Sequence, residues 1–359
     1  MSESVSLGNN NSIETKKLPA IEVDNEVSWV NQGVDTPFNL KLGESSKLGL
    51  FLIKNPKQAT FHVVAKDNHF RSALLGQVFI KDREHNILYR DIDLKGMGPI
   101  GPDLNVDDLT PGLAKNRMAV WGFYDNQVAL SDADHADYFT NKGLRTYQIL
   151  AVIDLKEIVD SEGNKISIQE ARDKKYIPED FKPAVQIRAF GTKARITDAI
   201  SESKNGRHDL IDDARIMVAE ELGISVENFS INEYAGWFAT TLGKQLSIIN
   251  NDEYEHGGLH SHNITLDCRI VDLDNMLSLP DNTKERVRII IRDYSYALRS
   301  LRQLSKAIKF SDLNVLEIRF KKSYKENLDP EIIALIDKAK IAASQQPGGI
   351  AYLGEFRDF

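Results

Sequence analysis

A change of hydrophobic period part-way along the chain constrains the fold most. Between about residues 47 and 95, apolar and β-branched residues come in short runs: LGLFLI, ATFHVVA, LGQVFIK and NILYRDIDLK. Asn, Asp and Lys separate them, which is the pattern of strands broken by turns. Beyond residue 200 the period becomes helical. Leu210–Leu222 carries Ile211, Ala214, Met217, Val218 and Leu222 on one face and stops at Gly223. Tyr234–Asn250 reads as a second helix. The longest, over 283–309, repeats Val287, Ile290, Ile291, Tyr294, Leu298, Leu301, Leu304 and Ile308 at helical spacing, so that stripe reads as core. Residues 329–343 form a last helix, with Asp329 as cap and Pro330 in the first turn. The expectation is an α+β fold of two lobes, strand-rich then helix-rich, with a cleft suited to a nucleotide.

The expected division is a loose tail over 1–25, an N-lobe over 26–180 and a C-lobe over 181–359. Residues 96–118, dense in Gly, Pro and Asp, read as loop. A helix is expected from about Ser131 to Lys142, then strands at TYQILAVIDL, AVQIRAF, ITLD and RIVDLD. With 42% hydrophobic and 27% charged residues, the composition is that of a globular chain. The net charge of −8, with no long basic run, argues against nucleic acid as the main partner. No apolar run approaches the roughly 20 residues of a membrane helix, so no membrane partner is expected. The polar N-terminus lacks the apolar segment of a signal peptide. A single cysteine, Cys268, excludes an internal disulfide and fits a reducing compartment. The expected location is the cytoplasm, with export by a dedicated secretion system left open.

The chemistry concentrates in His256-Gly257-Gly258-Leu259-His260-Ser261-His262-Asn263, followed nine residues later by Asp272. Small-molecule kinases of the aminoglycoside phosphotransferase type resemble this, with His-Gly-Asp-Leu-His-x-x-Asn and a later Asp. There the Asn and the second Asp hold Mg2+ against ATP, and the first Asp accepts the proton of the attacking hydroxyl. In this chain Asn263 and Asp272 are the expected metal ligands, since a hard cation takes oxygen donors. Gly258 stands where the base would be. Asp274, expected on the same strand face as Asp272, and His262 are the candidates for a replacement base. The histidines 256, 260 and 262 with Asp272 also form an alternative zinc or iron set.

Other candidates lie upstream. Lys95 ends a strand in Asp93-Leu94-Lys95-Gly96-Met97-Gly98 and could meet phosphates, or be an ordinary surface lysine. Asp132 and Asp134 open a helix, where an acid could pair with Lys95 or simply cap the helix. Alternation in AVQIRAFG puts Gln186, Arg188 and Phe190 on one sheet face. Arg188, Lys193 and Arg195 could clamp a triphosphate or sit on a solvated hairpin.

Taken in order, these motifs resemble the selenoprotein O family, pseudokinases that transfer AMP to proteins. That family's Leu-Lys-Gly-Ala-Gly is matched by Leu94–Gly98. Its Gly-Ile-Pro-Thr-Thr-Arg-Ala-Leu is matched by Gly143–Leu150, which places Asp132 at an acidic helix position. Its Val-Arg-Val-Ala-x-Ser-His-x-Arg is matched by Ile187–Arg195. Its His-Gly…Asn and later Asp are matched by His256, Gly257, Asn263 and Asp272. The matched order covers roughly 75–275. Here the family's Gly-rich nucleotide loop shrinks to Leu75-Gly76-Gln77, its Glu becomes Asp132, and its C-terminal redox residue is missing from GEFRDF. The resemblance implies a protein-kinase-like fold, ATP with Mg2+ or Mn2+, and AMP transfer to a protein hydroxyl. It implies that Lys95, Arg188 and Arg195 hold phosphates, that Asp132 orients Lys95, and that Asn263 and Asp272 hold the metal. A kinase-like phosphotransferase with a relocated base and a noncatalytic scaffold that binds ATP, or nothing, remain the alternatives. The acceptor and the oligomeric state are not legible.

Overall fold

A computed structural model describes residues 15–36, 38–53, 55–66, 72–82, 87–98, 122–160 and 163–345. Most of the expected Gly-Pro-Asp loop, the first fourteen residues and the GEFRDF terminus lie outside them. The chain divides into two compact units, Met1–Asp134 with Gln148–Phe190 and His135–Tyr147 with Gly191–Phe359.

The first unit is built on an eight-stranded antiparallel sheet. Its strands are β1 (Thr15–Glu22), β2 (Asn25–Val30), β3 (Leu50–Leu52), β4 (Phe61–Lys66), β5 (Ser72–Asp82), β6 (Ile87–Lys95), β7 (Gln148–Leu155) and β10 (Ala184–Phe190). The spatial order is β2-β7-β10-β6-β5-β4-β1-β3. A small hairpin, β8 (Glu157–Val159) and β9 (Lys165–Ser167), lies between β7 and β10 in the chain and leads into helix α2 (Ile168–Asp173). The expected tail is corrected here. Thr15–Glu22 pairs with both β4 and β3, and Ala20 and Ile21 are buried in the unit's apolar cluster. The boundary expected at residue 180 also moves. β10 lies between β6 and β7, and its backbone hydrogen bonds bind it to the sheet rather than to the helices that follow. The Leu75-Gly76-Gln77 segment is part of β5, at a point where the register against β6 shifts.

Helix α1 (Asn126–Asn141) starts five residues before the expected position. Asp132 is therefore inside the helix and fully buried, not at its N-terminus as a cap. The second unit holds α3 (Ile196–Lys204), α4 (Asp209–Leu222), α5 (Ile231–Asn251), α6 (Thr283–Ala307), α7 (Leu313–Asn327) and α8 (Pro330–Ser344). Eight α-helices thus occur among the described residues, and the protein is mixed α+β. No described helix is long and apolar enough to cross a membrane. Ser230 and Glu233 form a reciprocal cap at the start of α5, satisfying two of its free N–H groups. Asn282 caps α6, whose stripe of Val287, Ile290, Ile291, Tyr294, Leu298, Leu301 and Leu304 is buried as its period implies. The sequence reading missed α7. Its signal was Leu316, Phe320 and Tyr324 at intervals of four behind a capping Asp312, all three buried. A two-residue ribbon, β11 (Tyr254–Glu255) with β12 (Leu277–Ser278), brackets the motif-bearing loop.

Candidate functional site

In the first unit the sequence-selected residues lie on one face of the sheet. Asp91, Asp93 and Lys95 alternate along β6 and so share a face. The register sets Gln186 opposite Lys95 and Arg188 opposite Asp93. Arg188 donates from Nε and Nη2 to the two carboxylate oxygens of Asp93, at 2.8 Å each, with both side chains buried. Such two-pronged pairing is the strongest form of the ion pair. Two of the guanidinium donors expected to clamp phosphate are therefore committed to Asp93. The solvated-hairpin alternative also fails for Arg188, which is buried. Lys95 is buried too, its ammonium 4.0 Å from the centre of the Tyr124 ring, a cation–π distance. The Tyr124 hydroxyl donates to Asp132 Oδ2 at 3.3 Å, so Tyr124 links the lysine to the helix acid. Gln186 donates from Nε2 to the carbonyl of Ala129 at 3.1 Å, tying the face to α1. Gly96 follows Lys95 at φ +101°, and a Cβ there would stand 2.3 Å from the carbonyl oxygen of Ala184. Only glycine fits that approach.

In the second unit the loop 256–272 is held from several sides. The carboxylate of Asp293, buried on α6, accepts the backbone N–H of His256 at 2.8 Å and of Gly257 at 3.3 Å. His256 Nε2 lies 2.8 Å from the carbonyl of Val271. That contact requires Nε2–H to donate, because the carbonyl can only accept. Ser300 of α6 donates to the carbonyl of Leu259 at 2.9 Å. The loop then passes a turn closed by Asn263 N–H to the carbonyl of His260, at 2.8 Å. The expected strands ITLD and RIVDLD reduce to isolated bridges, Ile264 with Ile270, Thr265 with Arg195 and Ile270 with Thr146. The tight turn at Leu266–Arg269 leaves no length for a ladder. Val271 N–H donates to the carbonyl of Asn263 at 3.0 Å, which brings the residue before Asp272 against Asn263. Asp272 itself adopts φ 64°, ψ 51°, a left-handed conformation that Asp tolerates better than most residues. A single 3₁₀ turn, Leu273–Asn275, follows. Asp274 is therefore not on a shared strand face with Asp272, because no strand runs through them.

The Asn263 amide is oriented by its Nδ2, which donates to the carbonyl of Gly258 at 2.9 Å. Its Oδ1 is buried and accepts nothing, and so is Nδ1 of His256. Buried acceptors without donors cost about 1–3 kcal/mol each, so their retention calls for a reason. A Cβ built at Gly258 would be 3.5 Å from Asn263 Nδ2, 3.9 Å from His260 Cδ2 and 4.0 Å from His256 Nδ1.

Arg195, at the N-terminus of α3, donates from Nη1 to the carbonyl of His262. The same nitrogen stands 3.9 Å from Asp272 Oδ2. Lys193, two residues earlier, is buried. His262 is exposed and stacks on His260 at 5.4 Å. Partial burial pushes both imidazoles below the ordinary histidine range, helped by Arg299 at His260 and by His260 and Arg195 at His262. His256 turns its ring to Val271 and His260 turns to Tyr296, 4.0 Å between centroids. Among the described residues no three His, Cys, Asp or Glu side chains converge where one metal ion could be held. The alternative zinc or iron set is therefore not assembled.

Sequence reasoning also missed a buried ionic cluster beneath the loop. Arg269 pairs with Asp267 and reaches Glu221 at 3.5 Å, while Arg145 binds Glu221 and the carbonyl of Asp267. Asp267 and Arg269 are fully buried and pin the tip of the turn. Cys268, at that tip, is also buried, and burial pushes its thiol far above its usual range, so it is inert as a nucleophile. No family model matches this chain, and no curated protein matches it.

Proposed function

We propose that the chain is an ATP-dependent nucleotidyltransferase that moves AMP onto a protein hydroxyl, in the manner of the selenoprotein O family that its motifs resemble. The protein-kinase-like, two-lobed fold expected from the sequence belongs to the same proposal. The observation that carries it is the Asn263 amide. Its nitrogen is fixed by Gly258, and its buried oxygen is left as an acceptor with no donor. Val271 is bonded to the Asn263 backbone, and the carboxylate of Asp272 follows at once. One amide oxygen and one carboxylate are the donor set a hard divalent cation takes when nucleotide phosphates and water supply the rest.

Asn263 and Asp272 would hold Mg2+ or Mn2+, and the bound cation would neutralise phosphate charge. Asp293 and His256 keep the loop in one conformation through their bonds to its backbone. Arg195, already beside Asp272, would contribute positive charge toward the leaving pyrophosphate. Lys95 and Arg188 belong to the proposal as phosphate-holding groups by the resemblance. In this structure Lys95 contacts the Tyr124 ring and Arg188 is paired with Asp93. Asp132, linked to Lys95 through Tyr124, would orient it. Gly258 supplies no base, so catalysis would rest on positioning and charge.

The test is a paired labelling assay with Mg2+ or Mn2+, using ATP labelled at the α-phosphate and separately at the γ-phosphate. Transfer from the α-position alone, lost at least a hundredfold in Asp272→Ala and in Asp272→Asn, is the expected result. Asp272→Asn keeps a residue suited to the left-handed backbone, so it separates loss of charge from loss of fold. Label from the γ-position would make the chain a kinase. Absence of both labels, with no thermal shift from ATP, would leave the noncatalytic scaffold.

A further inference from the structure

Helix α6 buries one stripe and shows another. Tyr296, Arg299, Gln303 and Lys306 recur at intervals of three and four, so they share one solvent-facing stripe about 15 Å long. Arg299 and Lys306 are exposed and have no ion-pair partner among the described residues. This stripe begins at the candidate site. The His260 ring lies against Tyr296 at 4.0 Å, His262 stacks on His260, and the Arg299 guanidinium lies 5.9 Å from the centre of the Tyr296 ring. Ser300, beside the stripe, fixes the loop carbonyl at Leu259. A row of flat groups therefore runs from Asn263's neighbour onto a cationic helix surface, on a rigid support.

The charge of this region is opposite to that of the chain. Residues 283–327 contain twelve Lys and Arg against five Asp and Glu, a net +7, while the whole chain is −8. The remaining residues thus carry −15. Arg286 and Arg292 of this stretch are paired with Glu253 and Glu255 from outside it, so the charge facing solvent here includes Arg299 and Lys306, and a partner drawn by negative charge would be attracted to them.

Resting on the reading above, we infer that this stripe is the docking surface for the acceptor protein, and that it takes an acidic, extended segment of it. At about 3.3 Å per residue, four or five residues span the 15 Å, acidic side chains meeting Arg299 and Lys306. An aromatic side chain or peptide plane would lie on the His260–Tyr296 pair.

The test uses the full chain and a fluorescent decapeptide of alternating Glu and Tyr, followed by anisotropy at low salt without nucleotide. The matched probe alternates Lys and Tyr, and a third is a ten-residue single-stranded thymidine oligonucleotide. The Arg299→Glu/Lys306→Glu double variant should lose at least tenfold in affinity for the acidic peptide. Lys338→Glu, an exposed position on α8, should change it less than twofold. Equal loss in Lys338→Glu would mean that only net charge matters and would overturn the inference. So would equal binding of the Lys-Tyr peptide, or tighter binding of the oligonucleotide. ATP-induced thermal stabilisation of the same double variant is read separately. If it survives while peptide binding is absent from wild type as well, the docking surface fails and the nucleotide reading stands. Peptide binding with no ATP effect in wild type would do the reverse.

Discussion

The Arg188–Asp93 pair on the sheet face of the first unit and the loop 256–272 of the second both place charged or amide groups out of water, with different outcomes, although Gln186 Oε1 on that face is also buried without a donor. On the sheet, Arg188 and Asp93 sit opposite each other in register and answer each other's hydrogen-bonding groups. In the loop, Asn263 and His256 each spend one polar atom on the backbone and leave the other buried without a donor. Paired burial is what a fold needs to tolerate polar groups. In the loop, Asn263 Oδ1 and His256 Nδ1 stay buried without a donor on a backbone that Asp293 holds. The Arg188–Asp93 pair thus holds the sheet together, whereas the Asn263 oxygen is the acceptor that the proposed metal site would use.

The comparison can be broken most forcefully on the sheet. Asp93→Ala leaves the Arg188 guanidinium buried without its counter-ion and should cost about 3–5 kcal/mol in urea unfolding. Replacing both partners, Asp93→Leu with Arg188→Met, should recover most of that loss. A cost below about 1 kcal/mol for Asp93→Ala would show that the face is not stabilised by the pair. On the loop, Asn263→Ala should cost only about 1 kcal/mol, the worth of one hydrogen bond to Gly258. It should also abolish the thermal shift produced by Mg2+ with ATP, read by differential scanning fluorimetry. An unchanged shift would remove Asn263 from the ligand set. Gly258→Asp meets no atom closer than 3.5 Å at its Cβ, so stability should change by less than about 1 kcal/mol. Measured by the γ-labelling assay, it should raise phosphoryl transfer if the loop has kinase-like geometry.

The smallest effect is electrostatic. Burial, with Arg299 and His256 nearby, lowers the His260 pKa, and buried Asp293 opposes the shift. The folded state then binds its proton less readily than the unfolded state. The contribution of His260 to stability is present above the ordinary histidine pKa of about 6.5 and is lost as pH falls from there through the lower folded value. NMR titration of the imidazole proton should give a midpoint below that value, moving upward in Arg299→Gln. A midpoint that stays put would remove Arg299 as a cause.

Much of this was legible along the chain. The strand runs at 61–66 and 87–95 and the helices around 210–222, 234–250 and 283–307 follow from period and caps, which are local properties. So did the grouping of His256, Gly257, Asn263 and Asp272, whose spacing is fixed within seventeen residues. β1 escaped notice because its Lys-rich start resembles a tail and its stability comes from β3 and β4. The start of α1 was misplaced because Gln127, Val128 and Ala129 carry no marked period. Asp274 was set beside Asp272 on a strand that the left-handed turn at Asp272 does not permit.

Sequence by itself determined the succession of strands and helices, the apolar stripe of α6, and the absence of a carboxylate at position 258. Tertiary structure alone decided which charges find partners. Register set Arg188 against Asp93, α6 delivered Asp293 to the His256–Gly257 backbone, and the turn left Asn263 Oδ1 without a donor. Period and capping act over a few residues and are written in their order. Satisfaction of a buried polar group depends on atoms far along the chain, 95 residues away for Arg188 and Asp93, and only the folded chain brings them together.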